Sequence, residues 1–265
     1  MGMKCAILLV AYGTNSPQGQ ASLGRFDDSV RQTLPNVPVR WAYSSHLLRE
    51  RLAKARRKSD SVRKALRKLC FENFDTILVQ PLQTIPGREH EQVLEDAAQV
   101  SREQGISIRV GAPLLASSDD IGRVAQALVA HLPKERLLDE DVVLMGHGGA
   151  HEAAIAYTSL AKAVHALDTL VHVGAMGGEL QLENLLPQLQ SHRVWLMPLL
   201  ATVGRHTLED MAGQGAQSWR SRIEASGHEC VPVLKGTVEH DSVARVWLDH
   251  LVCLASDINF EEAGA

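Results

Sequence analysis

Eight short runs dominated by Val, Ile and Leu recur along the chain, at Cys5–Ala11 and at residues 37–42, 76–79, 106–111, 141–145, 170–173, 193–196 and 229–234. They are strand-length and nearly continuous in apolar residues, a pattern that predicts strands buried on both faces. Between most of them lie segments whose apolar residues recur at helical spacing, at 62–71, 89–103, 119–131, 152–167, 182–189, 217–225 and 242–255. Strands alternating with helices predict an α/β fold built on parallel sheets flanked by helices.

The punctuation between these elements repeats. Ala11-Tyr12-Gly13-Thr14 after the first strand parallels Gly146-His147-Gly148-Gly149 after the fifth. Pro81-Leu82 followed by Gly87-Arg88-Glu89 parallels Pro198-Leu199 followed by Gly204-Arg205-His206. The repetition predicts two similar α/β halves, 1–136 and 137–265, each a mainly four-stranded parallel sheet, with a cleft between them. Pro133 and a charged stretch break the pattern where the halves join, near 132–140. Ligands of open α/β sheets bind outside the carboxyl ends of the strands. His147 and His206 both fall there in the second half, and Tyr12 and Glu89 hold the corresponding places in the first.

Composition narrows the classes of function. With 265 residues and 45% hydrophobic content the chain can bury a substantial core. A net charge of −4 argues against a dedicated nucleic-acid binder. The run Cys5–Ala11 is too short to span a bilayer and passes into Tyr12-Gly13-Thr14 without a cleavage-like site, so a cytoplasmic protein without a membrane segment is expected. Four cysteines are scattered with no C-x-x-C, which predicts reduced thiols. Ten Lys/Arg between Arg49 and Lys68 face only two acids, Glu50 and Asp60. Such a run is either a solvated pair of helix faces or a rim that attracts a polyanionic small molecule. The last helix has an apolar side, Val243, Val246, Trp247 and Leu251, suited to core packing or to a homo-oligomeric contact.

His147 stands between glycines that leave its ring open to a planar ligand. His151, four residues on, is a weaker rival because Gly148 and Gly149 argue against continuous helix between them. His206 precedes Thr207-Leu208-Glu209-Asp210, which reads as a capping box with Asp at its end, so the histidine is expected on the loop before a helix. Two imidazoles at strand ends suggest a metal site, for which a carboxylate is also wanted. Glu179, after the glycines 174, 177 and 178, is the first candidate and Glu183 the second. Dinucleotide, P-loop and α/β-hydrolase motifs are all missing.

Taken together, the opening Leu8-Leu9-Val10-Ala11-Tyr12-Gly13-Thr14, the stretch Val79-Gln80-Pro81-Leu82-Gln83-Thr84-Ile85-Pro86-Gly87, Gly146-His147-Gly148, and Met197 through Gly213 with its His206-Thr207-Leu208-Glu209-Asp210-Met211-Ala212-Gly213 run resemble one family. It is that of the sirohydrochlorin cobaltochelatases, the long, two-domain branch of the class II chelatases. The resemblance covers nearly the whole chain. It implies insertion of Co²⁺ into sirohydrochlorin with release of two protons, in cobalamin biosynthesis, with the metal as substrate and no organic cofactor. It carries the family's two metal-binding and catalytic histidines onto His147 and His206. The family glutamate falls on Gly177, and Glu179 follows two residues later, a spacing that returns to the same face of an extended segment. Tyr12, Gly13, Thr14, Gly148, Gly149, Gly177 and Gly178 are then expected to line the macrocycle site. Relatives often carry histidine where Gln83 stands here. Two alternatives stay open at this point: iron insertion for sirohaem, since the same ligands accept Fe²⁺, and a non-catalytic metal or tetrapyrrole carrier on the same fold.

Overall fold

The computed structural model describes residues 4–148, 153–256 and 258. The chain forms two parallel four-stranded sheets. The first contains β1 (Cys5–Ala11), β2 (Val39–Tyr43), β3 (Thr76–Pro81) and β4 (Ser107–Val110) in the order β2-β1-β3-β4. The second contains β5 (Asp141–Gly146), β6 (Val171–Ala175), β7 (Arg193–Leu199) and β8 (Glu229–Pro232), and its order, β6-β5-β7-β8, repeats that of the first. In each sheet the strand order reverses beside the first strand, so β1 with β3, and β5 with β7, flank the switch point where ligands bind.

Alternate residues of β1 serve two cores. Cys5, Ile7, Leu9 and Ala11 join Val142, Leu144, Met197 and Leu199 of the other sheet in one cluster that spans both halves. Ala6, Leu8 and Val10 face outward onto α3 (Val62–Phe71) and α4 (Arg88–Gln104). Val143, Met145, Val194 and Leu196 do the same beneath α7 (Leu182–Leu185) and α8 (Trp219–Ala225). The buried β strands therefore read as continuous apolar runs because both of their faces are covered.

Two helices escape the periodicity. α1 (Pro17–Thr33) buries only Leu23, Phe26 and Val30 among its large apolar residues, and its start is set by Ser16, whose side chain accepts from the Gly19 amide, with Pro17 at the first position. α2 (His46–Lys54) is shorter still and is capped by Ser45. β3 and β7 each run on to a proline, Pro81 opposite Val10 and Pro198 opposite Met145. Proline at the final rungs of a ladder costs one donor only, so the punctuation there does not stop the strand.

The halves are tied in several places. Thr14 Oγ1 and Ser16 Oγ donate to the Val203 carbonyl at 2.8 and 2.7 Å, and Arg25 pairs with Glu239 at 3.0 Å. α9 (Asp241–Ala255), from the end of the chain, lies against β3 and against α5 (Ser118–Ala130) of the first half. Its Val243, Val246, Trp247 and Leu251 are all buried, and His250 Nε2 meets Asp120 at 3.0 Å. No helix among the described residues is long and apolar enough to cross a membrane.

Candidate metal and macrocycle site

β5 delivers His147 to the end of the second sheet. Gly148 follows with φ +88°, and a Cβ there would stand 2.6 Å from the Gly177 carbonyl oxygen, so the close approach of the two loops requires glycine. Met176 N–H donates to the Gly146 carbonyl at 3.1 Å and holds the loops together. His206 arrives from β7 as the first residue of a π-helical turn, His206–Met211. The imidazoles meet edge to face with centroids 5.0 Å apart and planes at 79°. His206 Nδ1 is 2.6 Å from Asp210 Oδ2. That contact occupies Nδ1 and leaves Nε2 as the nitrogen free for another partner.

The capping-box expectation for His206 does not hold. The histidine is inside the turn, Arg205 at its start is itself helical, no side chain caps the turn, and Thr207 Oγ1 is buried without a partner. Widened π turns are common at functional sites, and here the turn carries the His206–Asp210 pair.

Two cavities meet at the histidines. One, of about 320 Å³, lies between the halves and is lined by Tyr12, Gly13, Thr14, Gln83, Glu89, His147, Gly148 and His206 among others. The other, of about 1040 Å³, is bounded by His147, His206 and Asp210 with Met176, Gly177, Gly178 and Glu179. Volumes in this range accept a sizeable organic ligand. Tyr12, Leu47 and Ile155 are exposed apolar side chains on the cavity walls, surfaces suited to a flat ring.

The carboxylates fall differently from their sequence spacing. Gly178 has φ +90° and the Ala175 N–H donates to the Leu180 carbonyl at 2.7 Å, so 175–180 is a closed loop. The same-face rule for extended chain therefore does not place Glu179. Glu179 nonetheless lines the larger cavity. Glu183 lines neither cavity and pairs with Arg222 at 2.6 Å. Among the described residues, no three His, Cys, Asp or Glu converge closely enough to hold a metal. A Cβ at Gly177 would meet nothing within 4 Å, so the place of the family acid is open space. Gly149 and His151 lie outside the described residues.

Thr14 is at the cavity wall, but its hydroxyl is committed to Val203 and Ser16. Gly13 has φ +99° and lies under Leu48 and Tyr43, leaving no room for a side chain. Asp210, Arg205 and Tyr157 join the cavities although none was a candidate site residue in the sequence, and Arg51 joins them from the basic run. Tyr157, on α6 (Ala154–Leu167), is fully buried under Gly146. Burial pushes its hydroxyl up to about 12, against the backbone amides of His147 and Gly148 and the Thr84 side chain. Within the basic run, Arg63, Lys64, Arg67 and Lys68 pair with carboxylates, Arg49 donates to the Tyr43 and Ser44 carbonyls, and Arg51 lines the smaller cavity.

Two parallel-sheet halves of repeated topology, with a glycine-lined crevice and paired imidazoles at one switch point, define a class II chelatase architecture. The chain matches the family model described as cobalt chelatase (CbiK) over residues 5–255, and it belongs to that family. It is 49% identical over 260 residues to the sirohydrochlorin cobaltochelatase CbiKC of Nitratidesulfovibrio vulgaris, covering 97% of this chain and 92% of the relative. It is 29% identical over 257 residues to the sirohydrochlorin cobaltochelatase of Salmonella typhimurium, covering 94% and 96%. The fold is shared with the sirohydrochlorin chelatase SirB from Bacillus subtilis subspecies spizizenii in complex with cobalt, at a TM-score of 0.66 and 14% identity over 98% of this chain and 100% of that one.

Proposed function

We propose that this protein inserts Co²⁺ into sirohydrochlorin in the cytoplasm, exchanging two pyrrolic protons for the metal. The observation that carries the reading is the His147–His206 pair at the strand ends, in a crevice shared by both halves of a cobalt chelatase family member. Imidazole nitrogens and a carboxylate suit Co²⁺. His206 binds the ion through Nε2, because Asp210 engages Nδ1 and orients the ring. His147 supplies the second nitrogen, its loop held by Tyr157 from beneath.

The macrocycle enters against Tyr12, Leu47 and Ile155, with the glycines at 148, 177 and 178 admitting its flat face. Arg51 and Arg205 at the smaller cavity favour a polycarboxylate. Glu89, lining the smaller cavity, and Glu179, lining the larger, are the carboxylates proposed to accept the departing protons or to complete the metal's coordination. Metal transfer changes no oxidation state, so the reaction asks for no organic cofactor.

The test is anaerobic turnover of sirohydrochlorin followed by absorbance, with Co²⁺ or Fe²⁺ supplied. Multiple turnovers with cobalt support the proposal. Faster turnover with iron would assign the chain to sirohaem synthesis, and stoichiometric binding without turnover would make it a carrier.

A further inference from the structure

Gln83 stands two residues past the end of β3 and lines the crevice between the halves. Its backbone is pinned. The Gln83 carbonyl accepts from the Leu114 N–H at 2.9 Å and from the Trp247 indole N–H at 3.3 Å, and Trp247 is wholly buried in α9. These bonds anchor the backbone at Gln83 to the core. Yet both its polar atoms, Oε1 and Nε2, are shielded from solvent and bonded to no protein group. Six described residues carry such atoms; Gln83 and Thr207 line the smaller cavity, and of the six Gln83 alone has two side-chain atoms unpaired, an amide donor separate from its acceptor. A buried amide left unpaired is costly, so the native state keeps it at a standing disadvantage unless a ligand supplies the partner.

We propose that Gln83 is a specificity-determining residue whose carboxamide donates from Nε2 to a peripheral carboxylate of the bound tetrapyrrole. This rests on the reading that a polycarboxylated macrocycle occupies the crevice. A carboxylate only accepts, so it calls for N–H donors. The arginines at this cavity are two, and Arg205 is shared with Glu209 at 2.7 Å, which leaves Arg51 as the other. A neutral amide adds a directional hydrogen bond there without burying a further charge.

The assignment separates three side chains of similar size. Leu removes the donor and the unpaired polar atoms together. Glu keeps the shape and replaces the donor with a negative charge facing a carboxylate. If Gln83 instead accepted a pyrrole N–H through Oε1, Glu would serve as well as Gln or better.

The experiment titrates sirohydrochlorin without metal into the whole protein and its Gln83→Leu and Gln83→Glu variants, with thermal melting of each and cobalt turnover of all three. Gln83→Leu is expected to weaken binding about tenfold, the scale of one hydrogen bond to a charged group. Its melting temperature should equal or exceed that of wild type, and its rate at saturation should stay within about twofold while KM rises. Gln83→Glu should bind more weakly than Gln83→Leu. Binding by Gln83→Leu within twofold of wild type overturns the proposal, as does wild-type affinity in Gln83→Glu. Equal weakening in both variants with lowered melting temperatures also overturns it, by marking Gln83 as a structural residue. A wild-type protein that binds the macrocycle but never metallates it refutes the chelatase reading instead, and the titration still decides Gln83.

Discussion

Replacing Asp210 with alanine removes the carboxylate that engages His206 Nδ1 at 2.6 Å. Both partners are partly exposed, with side chains 36% and 45% accessible, so the pair itself adds little to stability, about 0–1 kcal/mol. Its consequence for metal is larger. Without the carboxylate the imidazole is free to rotate or to carry its proton on Nε2, and partners of this kind are worth roughly 10–100-fold in metal affinity. Asp210→Ala should therefore bind Co²⁺ about 10–100-fold more weakly in an anaerobic titration of the apo protein, read from the cobalt d–d bands. Its melting temperature should move by only a few degrees. Asp210→Asn, whose amide still reaches the ring, should fall between the two. Cobalt affinity within twofold of wild type in Asp210→Ala would refute the orienting role of the carboxylate.

Glu179→Gln and Glu89→Gln should each slow metallation, whereas Glu183→Gln, engaged with Arg222 and outside both cavities, should leave it unchanged; steady-state rates decide. Because Gly177 borders open space, Gly177→Glu should fold with an unaltered melting curve and restore activity to Glu179→Gln if a carboxylate from that loop is used. Gly148→Ala should destabilise the fold by about 1–3 kcal/mol in denaturant titration, since its φ is positive and Gly177 blocks a Cβ. Asp141 is fully buried; burial raises its carboxyl, but hydrogen bonds from the Ser191 backbone, His172, the Gln190 backbone and the Ser191 hydroxyl overcome this and hold it below the usual range. A carboxyl depressed in the folded state stabilises above its unfolded value and loses that contribution on acidification. Wild-type stability should thus fall as pH drops below about 4, and Asp141→Asn should show a shallower acid limb in denaturant titrations run across that range.

The architecture was legible because buried parallel strands leave a strong signal: β1 and α3 were recovered to the residue, and the repeated order of punctuation anticipated the repeated strand order. α1 was not, because a helix with three large buried apolar residues in seventeen positions gives weak periodicity, although Ser16-Pro17 marked its start. His147 could be found from its place between glycines at a strand end, and His206 from the parallel punctuation Gly204-Arg205-His206 after Pro198-Leu199. Asp210 could not: a capping-box reading sets His206 on the loop before the helix, whereas the histidine lies inside the helical turn, where a residue four positions on faces it. Tyr157 occupies one apolar face position among many on α6, and only the tertiary fold places its ring under Gly146. Glu179 was placed by a spacing rule for extended chain, and the positive φ of Gly178 removes the basis of that rule while leaving the residue at the cavity.

The central claim is that two imidazoles in this crevice carry metal into a tetrapyrrole. The most direct measurement compares cobalt insertion into sirohydrochlorin, under anaerobic steady-state conditions, by wild type and by His147→Ala and His206→Ala. The account predicts multiple turnovers by wild type and a loss of roughly 10²-fold or more in each variant. Near-wild-type rates in both variants would contradict it.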